Sequence, residues 1–291
     1  MGWQNAGKGV VHDMSIAAKL TQRLVERLRR ARHLVVFTGA GMSAESGVPT
    51  FRDRLTGLWA HTEPTEVATP HAFRRNPQRV WDWHLHLAEA VRRALPNAGH
   101  QAIAALPAKG LRISVITQNI DNLHQAAGSR EVIELHGNLF RLKAFVDEEA
   151  AFAAAEPPVI CHVCDGYAAA RDCDPWASRE DLARLRLEAG PVPRCPGCGA
   201  LLRPDVVWFN EMLDPAVIDA AVEAVDDCDA MFCVGASLEV QPAASLPWRA
   251  LSRGATVIEI NPQPTPLTPH VAALRGSAAQ VLPELVAKVW V

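Results

Sequence analysis

At 291 residues the chain is long enough for one large domain, or for a domain with a smaller module attached. Apolar residues make up 49%, charged residues 21%, and the net charge is −3, an ordinary balance for a soluble globular chain that brings no general attraction to nucleic acid. No apolar run approaches the roughly 18 residues of a membrane span, the first residues lack the apolar core of a signal peptide, and seven cysteines without a secretion signal argue against a disulfide framework. The expectation is a cytoplasmic protein without membrane or direct nucleic-acid partners. Nothing in the pattern specifies an oligomeric state.

Residues 1–14 have no period and are expected to form a loose arm, with Met14, ahead of the cap-type residue Ser15, as an alternative start. Ile16, Leu20, Leu24 and Leu28 recur every four residues and predict an amphipathic helix over 15–31. The apolar run 34–38 reads as a buried strand, and it feeds GAGMSAESGVPTFRD, from Gly39 to Asp53. Gly39 permits a tight turn, Gly41 lets a phosphate approach the main chain, and Ser43 can cap the next short helix. By itself this pattern fits a plain strand-to-helix connection equally well. A dehydrogenase would continue into a regular helix and a second strand. Here the chain breaks at Val48, Pro49 and Thr50 and then offers Phe51 and Arg52.

Residues 57–96 carry helical patterning with Trp59, Phe73, Trp81 and Trp83 and no strand. Further buried strands are predicted at 112–117, 131–135, 230–235 and 256–260, with helices at 98–106, 120–127, 214–226, 241–252 and 283–290. This alternation gives a doubly wound α/β domain with a parallel sheet, built from 15–56, 97–138 and 206–291. The helical module 57–96 and the mixed segment 139–205 read as two insertions beside it.

Cys161, Cys164, Cys195 and Cys198 form two CxxC pairs about thirty residues apart, the pattern of a closed four-thiolate zinc site, structural rather than catalytic. Cys173 reads as a bystander, and Cys228 and Cys233 as core. Gln118, Asn119 and Asp121 follow a strand where open α/β sheets bind ligands, although Asn and Asp there also suit a turn. His136, in ELHGN, ends the next strand and is a candidate general base. Gly235, Ala236, Ser237 and Asn261 follow later strands and suit a phosphate or ribose contact, or simply a turn.

Taken in order, GAGMSAESGVPTFR, TQNIDNLH, HGN, the two CxxC pairs, RPDVVWFNE, GAS and the INP turn resemble the sirtuins, NAD-dependent protein lysine deacylases. The resemblance implies a Rossmann-type domain with a helical insertion and a small zinc-binding module holding one ion. NAD and an acyl-lysine protein or peptide would meet in the cleft between them. It places Gly39, Ala40, Gly41 and Ser43 at the pyrophosphate, Phe51 and Arg52 over the nicotinamide ribose, and Gln118, Asn119 and Asp121 around the ribose and nicotinamide. Gly235, Ser237, Asn261 and Ala278 would complete the NAD site. His136, with Asn119 and Asp121, would carry the catalysis, and the acyl group would pass to ADP-ribose as nicotinamide leaves. Val206, Val207, Trp208 and Phe209 on one side and Val240 on the other would flank the substrate strand.

Thr50, RVW, PNAGH, LLRP and VVWF resemble the sirtuin class that removes malonyl, succinyl and glutaryl groups. The tyrosine and arginine with which that class recognises an acidic acyl group are replaced by His84 and Leu87. Leucine cannot bind a carboxylate as an arginine fork does, so the expected substrate carries an acetyl or longer apolar acyl group. A desuccinylase or demalonylase with a non-standard pocket, an ADP-ribosyltransferase or NAD hydrolase, and an idle NAD sensor are the competing readings. Lys143 to Ile160 enlarge the zinc module, and Asn210 stands where relatives carry glycine, a mild change because asparagine tolerates a left-handed backbone.

Overall fold

The computed structural model describes residues 20–48, 63–146, 159–168, 173–174 and 176–290. In chain order the first part forms helix α1 (Gln22–Arg30), strand β1 (His33–Thr38), two 3-10 turns (Ala40–Met42 and Ala44–Ser46), and helices α2 (Pro64–Val67), α3 (Pro70–Arg75), α4 (Pro77–Arg92) and α5 (Ala98–Ala105). Strand β2 (Arg112–Thr117), helix α6 (Leu123–Ala126) and strands β3 (Val132–Glu134), β4 (Gly137–Ala144), β5 (Val159–Ile160) and β6 (Tyr167–Ala168) come next. Helix α7 (Arg179–Arg184), strand β7 (Leu202–Val206), helix α8 (Pro215–Asp226), strand β8 (Ala230–Val234), helix α9 (Leu246–Ser252), strands β9 (Thr256–Ile260) and β10 (Ala272–Leu274), and helix α10 (Ala278–Val289) complete it.

Six strands pair in parallel in the order β10-β9-β8-β1-β2-β3. The chain builds outward from β1 in its first part and from β8 in its last. The carboxyl ends of β1 and β8 therefore lie side by side at the point where the winding reverses, the place where such sheets leave a ligand crevice. Every residue of β1 is buried, and alternate residues part to opposite faces. Leu34 and Val36 share a core with residues of α1, α5 and α10, whereas Val35 and Phe37 share one with α8 and α9. Burying each such side chain contributes about 1.5–3 kcal/mol.

The two insertions share a third core beside the sheet. Phe73, Val80, Trp81 and Leu87 of the helical insertion pack with Leu139, Val206 and Trp208. β4 and β7 form an antiparallel ribbon, which runs from the end of the sheet to the cysteine cluster. Among the described residues no helix is long and apolar enough to cross a membrane.

Several boundaries differ from expectation. The helix expected over 120–127 is confined to α6, because Asn122 adopts φ 67° and interrupts the turn before it. The closing helix starts at Ala278 and runs through Pro283, which forfeits one i to i−4 bond rather than opening the helix. The span 241–252 divides into a 3-10 turn, Ala243–Ser245, and α9. Helix α1 starts at Gln22, where Thr21 accepts a bond from the Leu24 N–H, and the arm, Ser15 and Ile16 lie outside the described residues. β10 and the β4–β7 ribbon had no counterpart among the predicted strands.

Candidate active site and metal centre

The strand ends converge on one edge of the sheet: Thr38, Thr117, Glu134, Val234 and Ile260 are the last residues of β1, β2, β3, β8 and β9. The loops that leave β1 and β8 interlock there. The Gly39 N–H donates to the Val234 carbonyl (3.1 Å) and the Gly41 N–H to the Gly235 carbonyl (2.9 Å). A Cβ on Gly39 would lie 2.9 Å from Ala236 Cα, and one on Gly41 would lie 2.7 Å from Gly235 Cα. These glycines therefore admit another main chain, whereas the sequence suggested a phosphate at Gly41. The N–H groups of Gly39, Gly41, Met42 and Ser43 are all used within the fold, while those of Ala40, Ala236 and Ser237 meet no acceptor among the described residues. Two loops thus each keep donors for an anion such as a pyrophosphate.

Ser43 does not cap the turn after it. Its hydroxyl donates to the Asp121 carboxylate (2.5 Å) and accepts from Asn119 Nδ2 (3.1 Å), tying the glycine turn to the loop after β2. Asp121 also accepts from the Leu123 N–H (2.9 Å), so it starts α6 as a turn former while facing Ser43. Burial pushes its carboxyl above the usual carboxylate range, against the opposing pull of these bonds. Asn97 adds a second tie, since its Nδ2 donates to the Met42 carbonyl (2.8 Å) and to Ser46 (3.1 Å).

His136 stands at the end of β3. Its Nδ1 lies 3.0 Å from the Gln118 carbonyl, an acceptor only, so that nitrogen carries the proton and Nε2 is left as a basic lone pair. Burial lowers its pKa below the ordinary imidazole value and the Gln118 bond opposes that shift. Asn261 follows β9 and fixes the neighbouring loop by donating to the Ala236 carbonyl (2.9 Å). Ala278 opens α10 with its carbonyl against Gly99, where a Cβ would approach to 2.8 Å.

His84 and Leu87 both lie buried on α4. His84 Nδ1 donates to the Val80 carbonyl (2.8 Å), and its Nε2 accepts from Trp208 Nε1 (3.1 Å). Burial lowers its pKa to about 4, so it is neutral at ordinary pH. Arg203 stacks over Trp208 with its guanidinium carbon 3.2 Å from the ring centroid and grips Glu211 with both terminal nitrogens. Glu211 in turn accepts the Trp208 N–H (2.8 Å). This Arg203–Trp208–Glu211 unit was overlooked at the sequence level, where its signal was an arginine and a glutamate bracketing VVWF. It fixes the segment 206–209, whose Val207 and Phe209 N–H groups bond the carbonyls of His136 and Ala68 (both 3.0 Å). Phe209 and Val240 are exposed apolar side chains, and Asn210 takes φ 67° as expected of a glycine replacement.

The four cysteines come together from two turns of the same form. In each, the first cysteine accepts from the N–H four residues on (Asp165 2.9 Å; Gly199 2.8 Å) and donates to the carbonyl five residues on (Gly166 and Ala200, both 2.8 Å). Asp165 and Gly199 both adopt left-handed backbone, φ 55° and 72°. All four sulfurs lie within 4.8 Å of one another, and those of Cys164 and Cys198 are 3.6 Å apart. A tetrahedral ion with Zn–S bonds of about 2.3 Å requires sulfurs nearly 4 Å apart. The cluster therefore fits one zinc ion with no open position. Cys233 is buried core, Cys228 is half-buried with its thiol donating to the Val225 carbonyl of α8, and the cysteines form no disulfide.

The Sir2 family model matches residues 39–242, a span that holds the glycine turn, the 118–121 loop, His136 and the four cysteines. The chain belongs to the Sir2 family. NAD-dependent protein deacylase 1 of Archaeoglobus fulgidus is 42% identical over 268 residues, covering 92% of this chain and 97% of its own length. A crystal structure of a Sir2 homolog–NAD complex has a TM-score of 0.74 to this fold at 42% identity, covering 93% and 94% of the two chains. Sir2Af2 bound to a myristoylated histone peptide has a TM-score of 0.64 at 34% identity, covering 94% and 97%. In this Sir2 chain Thr50, Phe51 and Arg52 lie outside the described residues, whereas every other site position named from the sequence is described.

Proposed function

We propose that this Sir2 protein, an NAD-dependent protein deacylase by family, removes acetyl or longer apolar acyl groups from lysine side chains in a reducing, cytoplasmic setting. The observation that carries the acyl preference is the environment of His84 and Leu87. Both ring nitrogens of His84 are engaged, and Leu87 packs among Phe73, Trp81, Leu139 and Trp208. The guanidinium that stacks on Trp208 is held by Glu211, and Arg92, which stacks on Phe140, donates to the Leu187 carbonyl. A succinyl carboxylate placed there would lose its hydration without gaining a cation among the described residues, at a cost of several kcal/mol. The myristoylated peptide bound by Sir2Af2 supports a family site that accepts a long apolar chain.

NAD supplies the ribose carbon that captures the acyl oxygen as nicotinamide departs. The chain's own groups do the rest. The donors of Ala40, Ala236 and Ser237 hold the pyrophosphate, with Gly39, Gly41 and Gly235 allowing the two loops to close together. Asn261 and Ala278 border the adenosine half. Asn119, whose amide nitrogen is spent on Ser43, keeps its side-chain oxygen for the nicotinamide pocket, with Asp121 and Gln118 beside it. His136 accepts a ribose hydroxyl proton at Nε2, and its lowered pKa keeps that atom unprotonated near neutrality. The substrate strand runs along Val206 to Phe209. The Val207, Trp208 and Phe209 N–H groups are already bonded, so main-chain pairing with the acyl-lysine strand along this segment falls to its carbonyls.

The test is to incubate the protein with NAD and acetyl, long-chain acyl and succinyl peptides and to weigh the products. The expected result is O-acyl-ADP-ribose from the apolar acyl peptides, with succinyl turned over about a hundredfold more slowly or worse, the rate equivalent of a few kcal/mol. Efficient desuccinylation overturns the argument from Leu87. Nicotinamide release without O-acyl-ADP-ribose on any peptide overturns the deacylase reading.

A further inference from the structure

One buried titratable pair has no role assigned so far. His124 on α6 and His100 on α5 are both buried, with ring centroids 4.8 Å apart and planes inclined at 60°. Burial lowers their pKa values to about 3 and about 4, so both are neutral imidazoles. His100 has a local task, because its Nδ1 accepts from the Asn97 N–H and closes the cap of α5. His124 has no such task. Its Nε2 lies 3.1 Å from the Thr38 hydroxyl, and its Nδ1 is buried with no hydrogen-bonding partner among the described protein groups.

A buried imidazole with one nitrogen unmet is a poor way to fill apolar space, since a leucine of similar size avoids the desolvation cost. Its contribution must therefore lie in the one bond it makes, and that bond leads toward the candidate site. Thr38 ends β1, and its hydroxyl donates to the hydroxyl of Thr117, its register partner at the end of β2 (2.8 Å). With that proton committed, His124 Nε2 is the donor to Thr38. Thr117 Oγ1 then accepts the main-chain N–H of Asn119 (3.0 Å). The chain of bonds runs His124, Thr38, Thr117, Asn119, and the His124, Thr38 and Thr117 side chains in it are all buried.

We propose that His124 is a positioning residue for the loop 118–121, acting through the Thr38 and Thr117 hydroxyls on the main chain of Asn119. Ser43 holds this loop by its side chains from one side, and the His124 relay holds it by its backbone from beneath the sheet edge. Without His124, the Thr38 hydroxyl is free to turn, and Thr117 keeps its bond to the Asn119 N–H without an oriented partner behind it. The inference rests on the reading of 118–121 as the nicotinamide pocket.

The test compares His124→Leu, His124→Gln and Thr38→Val in the full zinc-loaded protein, with Asn119→Ala as the control for that reading. Glutamine places an amide N–H close to the position of Nε2, leucine fills the space without a donor, and valine removes the relay at its next link. Exchange of labelled nicotinamide into NAD, measured with an apolar acyl peptide present, should fall about tenfold in the leucine and valine variants and recover to within about threefold in the glutamine variant. The KM for the acyl peptide should stay within about twofold, and the Tm of the leucine variant should match or exceed the parent, because an unmet polar atom is removed. Exchange at the parental rate in His124→Leu or Thr38→Val overturns the proposal. So does equal impairment of the leucine and glutamine variants, which would assign His124 to packing alone. If Asn119→Ala leaves exchange intact, the pocket assignment fails instead.

Discussion

At the scale of single residues, the tautomer of His136 is decided by a carbonyl. Because Gln118 can only accept, Nδ1 keeps its proton and Nε2 is left as the lone pair proposed to act as base. Burial depresses the pKa, so the acid limb of kcat/KM for the apolar acyl peptide should lie below the ordinary imidazole value of 6.5, and a limb at or above that value would contradict the assignment. His136→Ala should lower kcat by about 10²–10⁴-fold with the zinc content unchanged. Gly41→Ala should destabilise the fold by about 1–3 kcal/mol in chemical denaturation, since its methyl would press on the Gly235 main chain. The residue types at the site were legible because acids, amides and a histidine at the ends of buried strands have few uses other than turns or ligands. The bonds among them were not, and Ser43 shows why. A serine after a glycine turn is a good cap in isolation, but the Asp121 carboxylate, brought in from about eighty residues away, is a stronger acceptor.

At the scale of elements, the two cysteine turns set the position of the proposed substrate strand. Cys198 is followed almost at once by β7, which pairs with β4 and delivers Val206 to Phe209 to the cleft. Metal analysis should find about one zinc per chain, and chelation or Cys195→Ser should abolish activity while leaving most of the far-UV circular dichroism of the six-stranded sheet. A zinc-free chain that keeps full activity would remove this coupling. The zinc pattern was readable from spacing alone, as thiolate pairs of this kind leave little freedom. The length of α6 was not, because the backbone of Asn122 is set by its Oδ1 bond to Asn138 Nδ2 (2.9 Å) and by the Asp121 turn beside it. β10 escaped because a three-residue edge strand of two alanines and a leucine has no period to detect.

At the scale of the whole molecule, the neutral histidines make stability depend on pH in a definite direction. His84, His100 and His124 are held at about 4, 4 and 3 in the fold, against 6.5 when unfolded. Above 6.5 neither state is protonated, and stability is full. As pH falls from there toward about 4, the unfolded chain takes up protons that the folded chain refuses, so stability declines, by several kcal/mol for the three together. Thermal unfolding across this range should show a steady loss of Tm, and a flat profile between about pH 6.5 and 4.5 would mean that these rings are hydrated in solution. The doubly wound sheet itself was legible because its central strands β1 and β8 hold continuous apolar runs buried on both faces, as a two-faced parallel sheet requires.

The interlock of the β1 and β8 loops also bears on the order in which the protein becomes competent during synthesis. Gly235 leaves the ribosome nearly two hundred residues after Gly39, with both insertions emerging in between. Until it arrives, the glycine turn has no floor and the Gly39 and Gly41 N–H groups have no acceptors. A nascent or truncated chain ending before β8 would thus carry the most recognisable motif of the family and still be unable to retain NAD.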